Sequence, residues 1–352
     1  MIDDLEDLAR RLEGWLAAQH PERAPLAVSQ LKRSDAGYSN ITVLGELKWT
    51  LDGATQQLPI VLRIQPQESS VYPDCDIVRQ YRVMAALAGS AVPVPRLLGL
   101  ETDVAPLGAP FFLMQRIEGR VPNENPLYHL EGWFHDLGVD ALRQHWFSGI
   151  DTIAAITRLD WRALGLDFLQ PPTGRTPLAH QLAYYRDAVA WAERLGRPYP
   201  HLHAAYDWLL ANQPADEPLA LSWADAKLGN CVYRDGRVVG VLDWEQACLA
   251  NPVDDLAWWL MLDESMSSGY GVPRLAGLPS RDETVAHWQR ASGRSARDLP
   301  YYDVYAAWRM AYVMARIGTV FMQRGWVPRE SQMDLQNGGS ALLARHAARL
   351  GF

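Results

Sequence analysis

The sequence predicts an α+β protein, with a small strand-rich N-terminal part and a larger, mostly helical C-terminal part. Three observations carry this. The first 118 residues contain apolar strand-like runs at 58–64 (LPIVLRI) and 111–117 (FFLMQRI), bounded by turn residues. Farther on, apolar residues recur at helical spacing: Leu142, Trp146, Ile150 and Ile153, then Leu178, Leu182, Tyr185 and Val189. Inside this helical part stands one hairpin, residues 231–234 and 238–242 around Asp235-Gly236, a strong two-residue turn signal.

Taken in order, residues 2–18 place Leu5, Leu8, Leu12, Trp15 and Leu16 on one face, a helix expected to cover a neighbouring sheet. Residues 31–49 read as strand-like segments around the small-residue turn DAGYSN at 35–40, and Asp52-Gly53 marks a second turn. A turn of that kind can lay backbone N–H groups over phosphates, and it serves equally as a plain hairpin. A helix is expected over 74–88 with Ile77, Tyr81, Met84 and Leu87 inward, ended by V-P-V-P at 92–95. After the 111–117 strand, a Pro-, Asn- and aromatic-rich loop spans 121–138 and reads as substrate-side. Helices are expected over 254–264, 282–292, 301–324 and 329–350.

Composition removes several function classes. A net charge of −8 with no basic stripe argues against a general nucleic-acid binder. No apolar run reaches the roughly 18 residues of a membrane span, and the start MIDDLEDLAR is acidic, unlike a signal peptide. Cys75, Cys231 and Cys248 lack a paired spacing, which suits reduced thiols and a cytoplasmic protein. The sequence has no H-E-x-x-H, no G-x-S-x-G and no P-loop motif, so zinc, α/β-hydrolase and P-loop chemistries are not favoured.

The chemistry concentrates in residues 219–259. Asp225 and Asn230 stand five residues apart with Lys227 between them, and the returning strand delivers Asp243-Trp244-Glu245. Phosphoryl transfer from Mg·ATP needs such a set: an acid to orient the attacking hydroxyl and accept its proton, and an Asn and a second Asp to hold the metal on the phosphates. Asp225 reads as the base, Asn230 and Asp243 as ligands for Mg2+, and Lys227 as a cation for the transferred group. The alternative is a surface hairpin with solvated acids.

These residues resemble the catalytic and metal-binding loops of the aminoglycoside phosphotransferase family, related to protein kinases and choline kinases. The family shows H-G-D before x-x-x-x-N, then L-D-W-E. This chain has Trp223-Ala224-Asp225 and Leu242-Asp243-Trp244-Glu245, a Trp standing for the His as in one subgroup. The run NPVDDLAW at 251–258 also matches, with Asp255 at the acid that braces the catalytic loop.

The resemblance implies a protein-kinase-like two-lobed fold: a small mixed β-sheet N-lobe over 1–118, binding ATP, and a largely helical catalytic and substrate C-lobe over 119–352. It implies Ser39 as a polar contact in the nucleotide-covering loop and Arg63 where kinases carry the phosphate-holding Lys. Gln80 then stands where a Glu pairs that cation, with Asp76 as a stand-in, and backbone groups at Gln115 and Ile117 meet the adenine edge. Gln80 cannot form an ion pair, which departs from the pattern.

The expected function is an ATP- and Mg2+-dependent O-phosphotransferase acting on a hydroxyl of a small molecule. The alternative is a nucleotide-binding pseudokinase; Trp223, Arg63 and Gln80 favour it, whereas Asp225, Asn230 and Asp243 together favour the enzyme. An aminoglycoside site needs a cluster of acids, yet the C-terminal half is rich in aromatics, among them Tyr128, Trp133, Trp146, Trp258 and Trp259. A bulky, partly apolar alcohol is therefore expected; antibiotic, hydroxyacyl thioester and other alcohols all stay open.

Overall fold

A computed structural model describes residues 4–23, 25–34, 40–66, 71–215, 218–328 and 330–352. Two compact units result, one of Met1–Ala88 with Val94–Glu118, the other of Gly89–Pro93 with Gly119–Phe352.

The first unit opens with helix α1 (Leu5–Gln19), whose start is capped by the Asp4 carboxylate accepting from the Glu6 and Asp7 N–H groups. Strands β1 (Leu26–Arg33), β2 (Ile41–Leu51) and β3 (Ala54–Ile64) follow, then α2 (Ile77–Leu87), β4 (Leu97–Glu101) and β5 (Phe111–Gln115). They form one sheet, β1-β2-β3-β5-β4, in which every pairing is antiparallel. Side chains alternate across β3. Leu58, Ile60, Leu62 and Ile64 join Leu8, Leu12 and Leu16 of α1 in one core. Arg63 points to the other face, where its register partner Phe112 meets Tyr81 of α2.

Helix α2 is shorter than the expected 74–88 because Asp76 caps it, accepting from Arg79 N at 2.8 Å. Its buried stripe is Ile77, Gln80, Val83, Met84 and Leu87, so Tyr81 sits at the edge of the stripe and is only half-buried.

The second unit contains α3 (Val139–Thr157), α4 (Pro177–Leu195), α5 (Pro200–Ala211), α6 (Asp254–Met266), α7 (Arg281–Ser292), α8 (Leu299–Gln323) and α9 (Gly338–Leu350). It also has two ribbons, β6 (Ala220–Ser222) with β9 (Cys248–Ala250), and β7 (Cys231–Arg234) with β8 (Arg237–Val241). The sequence pattern missed α5. It also overextended α9, since residues 330–337 are not helical and the Asn337 side chain caps a helix that starts at Gly338. The aromatic stripes are core: Trp146, Trp259, Trp308, Tyr302 and Tyr312 are fully buried, and Trp133 is half-buried. Buried indoles still need acceptors; Trp146 finds Thr284 Oγ1 and Trp308 the Leu202 carbonyl, each at 2.9 Å. No helix among the described residues is long and apolar enough to cross a membrane.

Candidate active site

The site is built outward from the β6–β9 ribbon. Immediately after β6 the chain turns through Ala224 at φ +64°, left-handed for a residue with a Cβ. Such a conformation costs of order 1–3 kcal/mol and persists only where the surroundings hold it. Here Asp255, in the first turn of α6, does the holding: its two oxygens accept from Trp223 N at 2.8 Å and Ala224 N at 2.7 Å. Ser222 Oγ lies within 2.8 Å of Asp254 and 2.9 Å of Asp255. Arg309 of α8 donates to the Ala224 carbonyl at 2.8 Å and lies 3.4 Å from Asp254. Burial and neighbouring Asp254 push the Asp255 carboxyl up to about 7, against the three donors that oppose them.

The strained turn presents Asp225. Its Oδ2 accepts from Asn230 Nδ2 at 2.7 Å, and Oδ1 from the indole N–H of Trp258, one turn into α6, at 3.0 Å. Burial raises the Asp225 carboxyl above its ordinary range; Lys227 opposes this, while Asp243 and Glu124 add to it. The Lys227 ammonium lies 3.8 Å from Asp225 Oδ2 and 3.1 Å from both oxygens of Glu124. Burial would lower its pKa, but Asp225 and Glu124 more than reverse that, so the ammonium stays protonated.

Asn230 spends its amide nitrogen on Asp225, donating also to the Asp225 carbonyl at 3.1 Å. The group it offers a cation is therefore its carbonyl oxygen. Asn230 also anchors the far end of the hairpin, its own backbone carbonyl accepting from Leu242 N at 2.9 Å. Asp243 follows, again left-handed at φ +60°. Trp223 ties the two loops together: its indole N–H donates to the Leu242 carbonyl at 2.8 Å and its ring packs on Trp244. An indole thus makes the link at the position where the resemblance expected an imidazole.

A carboxamide oxygen and a carboxylate are hard donors of the kind Mg2+ takes, with phosphate oxygens and water filling the remaining positions. Among the described residues no cluster of three or more His, Cys, Asp or Glu is arranged to hold a metal. Asn230 Oδ1 and the Asp243 carboxylate are hard donors of this kind.

The other expected site residues belong to the first unit. Arg63 is buried on β3 and donates to Thr42 Oγ1, its cross-strand neighbour, at 2.9 Å. Gln80 is buried in α2, and Asp76 serves as that helix's cap. Gln115 ends β5, with its backbone N–H donating to the Arg96 carbonyl at 2.8 Å and its Oε1 accepting from Arg96 Nε at 3.0 Å. Ile117 lies two residues past the strand, and Ser39 falls outside the described residues. Sequence reasoning did not find the roles of Glu124, Trp258 and Arg309. Nothing in the sequence pointed to Glu124; only the structure shows that a Cβ on Gly229 would collide with its carboxylate.

The pattern of the phosphotransferase enzyme family matches residues 47–308. Rattus norvegicus acyl-CoA dehydrogenase family member 11 is 26% identical over 321 residues, 85% of this chain and 37% of the relative. The Arabidopsis thaliana relative named probable acyl-CoA dehydrogenase IBR3 is 26% identical over 84% of this chain and 37% of its own. This chain thus spans little more than a third of the length of these relatives. A Ralstonia eutropha structure described as a candidate aminoglycoside phosphotransferase superposes with a TM-score of 0.71 at 23% identity, covering 97% of this chain and 98% of that one. Macrolide 2′-phosphotransferase MphH from Brachybacterium faecium gives 0.55 at 15% identity, covering 93% and 96%. At these identities the likeness shows the fold, an α+β kinase-like one.

Proposed function

Because the chain belongs to the phosphotransferase enzyme family, we propose that it transfers the γ-phosphate of ATP to a hydroxyl of a small molecule. One observation supports this above the others: Asp225 is gripped from both oxygens, by Asn230 at 2.7 Å and Trp258 at 3.0 Å, in a loop strained at Ala224. A solvated surface acid needs no such hold. Asp225 orients the substrate hydroxyl and takes its proton at the carboxylate. Lys227 supplies positive charge beside it. Asn230 Oδ1 and the Asp243 carboxylate would hold Mg2+, which when bound offsets negative charge on the phosphates. In the first unit Arg63 binds phosphate oxygens, supported by Gln80, and Ser39 contributes a hydroxyl. Gln115 offers its carbonyl to the adenine edge, its N–H being engaged with Arg96, and Ile117 offers its backbone N–H. The first unit is thereby the nucleotide-binding lobe, and the second carries catalysis and the acceptor. The three cysteines suit a cytoplasmic setting, where thiols stay reduced.

The acceptor reading is a neutral, partly apolar alcohol. Past Asp255 the adjacent acidic pairs are Asp263-Glu264 and Asp282-Glu283, and three of these four acids already have partners. Asp263 accepts from Tyr128 at 3.0 Å and pairs with Arg274 at 2.6 Å. Glu264 pairs with Arg345 at 3.2 Å and Glu283 with Arg143 at 2.6 Å. The deciding experiment follows ATP consumption, with and without Mg2+, across simple alcohols, amino sugars, macrolides and hydroxyacyl thioesters. The thioesters join the panel because the rat and Arabidopsis relatives are named for acyl-CoA. Turnover on a neutral alcohol is expected. Kanamycin phosphorylated at kcat/KM above roughly 10⁵ M⁻¹s⁻¹ would overturn the acceptor class, and nucleotide binding without turnover on any member would support a pseudokinase.

A further inference from the structure

A general base and a lysine set side by side have an easy way to fail. If the ammonium closes on the carboxylate, the lone pair that should accept the substrate proton is occupied, and the positive charge meant for the transferred group is spent. In this protein the two stand 3.8 Å apart at Lys227 Nζ and Asp225 Oδ2, longer than the roughly 2.7–2.9 Å of a formed charge-assisted hydrogen bond. Two residues from elsewhere in the second unit account for the gap. On the lysine side, Glu124 Oε2 accepts from the ammonium at 3.1 Å, with Oε1 at the same distance. Gly229 permits this approach, since a Cβ there would strike the Glu124 carboxylate. On the aspartate side, Trp258 holds Oδ1 at 3.0 Å, while Asn230 holds Oδ2. Trp258 is itself immobilised: it is buried in α6, and the Arg309 guanidinium lies 4.5 Å over its ring.

We propose that Glu124 and Trp258 are positioning residues that hold Asp225 and Lys227 open as an unclosed ion pair. Glu124 draws the ammonium away and Trp258 stops the carboxylate from rotating to follow it. This rests on the reading of Asp225 as the base. Two single changes remove the device one hand at a time. Glu124→Gln keeps the shape and removes the charge that competes for Lys227; Trp258→Phe removes the indole N–H and keeps an aromatic ring.

The test combines structure and kinetics on the full chain. In a crystal structure of Glu124→Gln, the Lys227–Asp225 distance is expected to close from 3.8 Å to hydrogen-bonding range; an unchanged gap overturns the proposal. Turnover is followed as ADP release from Mg·ATP, with water as acceptor and with the best alcohol of the panel. Each variant is expected to lose about 10–10²-fold in kcat, the scale of a misplaced catalytic group, with the KM for Mg·ATP within about twofold. In an Asp225→Asn background the same changes are expected to cost little more, because there is no base left to misplace. Equal losses in both backgrounds overturn the proposal, as a merely structural role predicts. Asp225→Asn inactive with both variants near normal sinks the positioning role alone; Asp225→Asn near normal sinks the base itself. Glu124, on a loop and partly exposed, carries the test should Trp258→Phe fail to fold.

Discussion

Two hairpins in this molecule carry the same turn and do different work. Asp52-Gly53 joins β2 to β3, and Asp235-Gly236 joins β7 to β8. In both turns the Asp and the Gly have positive φ, near +50° and +76°, as a two-residue type I′ turn requires. The first hairpin runs eleven residue pairs without a break, from Leu51↔Ala54 to Ile41↔Ile64. The second has four pairs and a register shift between Val232 and Tyr233. Around Gly53 there is open space, whereas a Cβ on Gly236 would come 2.5 Å from the Gln144 side chain of α3. Val238 N also donates to Ser148 Oγ of the same helix, at 2.9 Å. One hairpin is a long regular ladder that delivers a single buried Arg63. The other is short, irregular and anchored from outside, with Asn230 at its entry and Asp243 at its exit. Bulges and left-handed residues gather where side chains must be aimed, because a regular ladder would point them elsewhere.

If the short hairpin is the catalytic one, damage there should fall on the chemical step and the metal. Asp225→Asn is expected to lower kcat by roughly 10² or more with nucleotide affinity nearly unchanged. Asp243→Ala is expected to abolish metal-dependent nucleotide binding, read by calorimetry with and without Mg2+. Near-normal turnover in the first, or unaltered Mg·ATP affinity in the second, breaks the contrast between the hairpins.

Damage at the end of the long hairpin should fall on nucleotide binding. Arg63→Ala is expected to raise the KM for ATP about tenfold, the scale of one lost charged contact, with Arg63→Lys recovering part of it. Identical ATP kinetics in wild type and Arg63→Ala would remove this residue from the site.

The turns offer a direct comparison by stability. Gly53→Ala places a Cβ at positive φ with room to spare and should cost about 1–2 kcal/mol. Gly236→Ala carries the same strain and displaces only the end of the exposed Gln144 side chain, so its stability loss should be similar, but turnover should fall as well because the turn lies between Asn230 and Asp243. Chemical denaturation of both variants checks the match, and unaltered turnover in Gly236→Ala would detach the second turn from the site.

The smallest expected effect concerns that supporting helix. Arg143 of α3 bonds Glu283 at 2.6 Å, and this bond, with the Ser280 cap, holds the Glu283 carboxyl down to about 2. A carboxyl depressed on folding adds stability that is present above its unfolded value near 4.3 and is lost as pH falls toward 2. Glu283→Gln should therefore lower Tm slightly at pH 7, with the difference from wild type shrinking between pH 4 and pH 2. A difference independent of pH would assign the effect to packing.

Much of this architecture is local enough to read from the chain. The Asp-Gly turns follow from which residues tolerate positive φ, and α1 from Leu8, Leu12, Trp15 and Leu16 on one face. Helix limits were less legible. The start of α2 depends on Asp76 acting as a cap, and α9 loses its expected first turns to a cap at Asn337. Caps are choices between neighbouring polar residues that apolar periodicity does not register.

The sequence by itself determined the fold class, the phosphotransferase family and the clustering of Asp225, Lys227, Asn230 and Asp243 just before and just after one hairpin. Asn230 and Asp243 flank the Asp235-Gly236 hairpin, whose local geometry brings its two ends together, whereas Asp225 and Lys227 precede it and are set by the turn at Ala224 that Asp255 holds. Only the tertiary structure decided what holds them. Glu124 reaches Lys227 across 103 positions, Trp258 reaches Asp225 across 33, and Trp223 bonds a carbonyl 19 residues ahead. In the sequence, Trp223 reads as a stand-in for a His and Trp258 as the end of a family run, with no partner named for either, and Glu124 reads as a loop acid. Their roles come from which polar atom each one meets once helices and loops pack, and no residue spacing encodes that meeting.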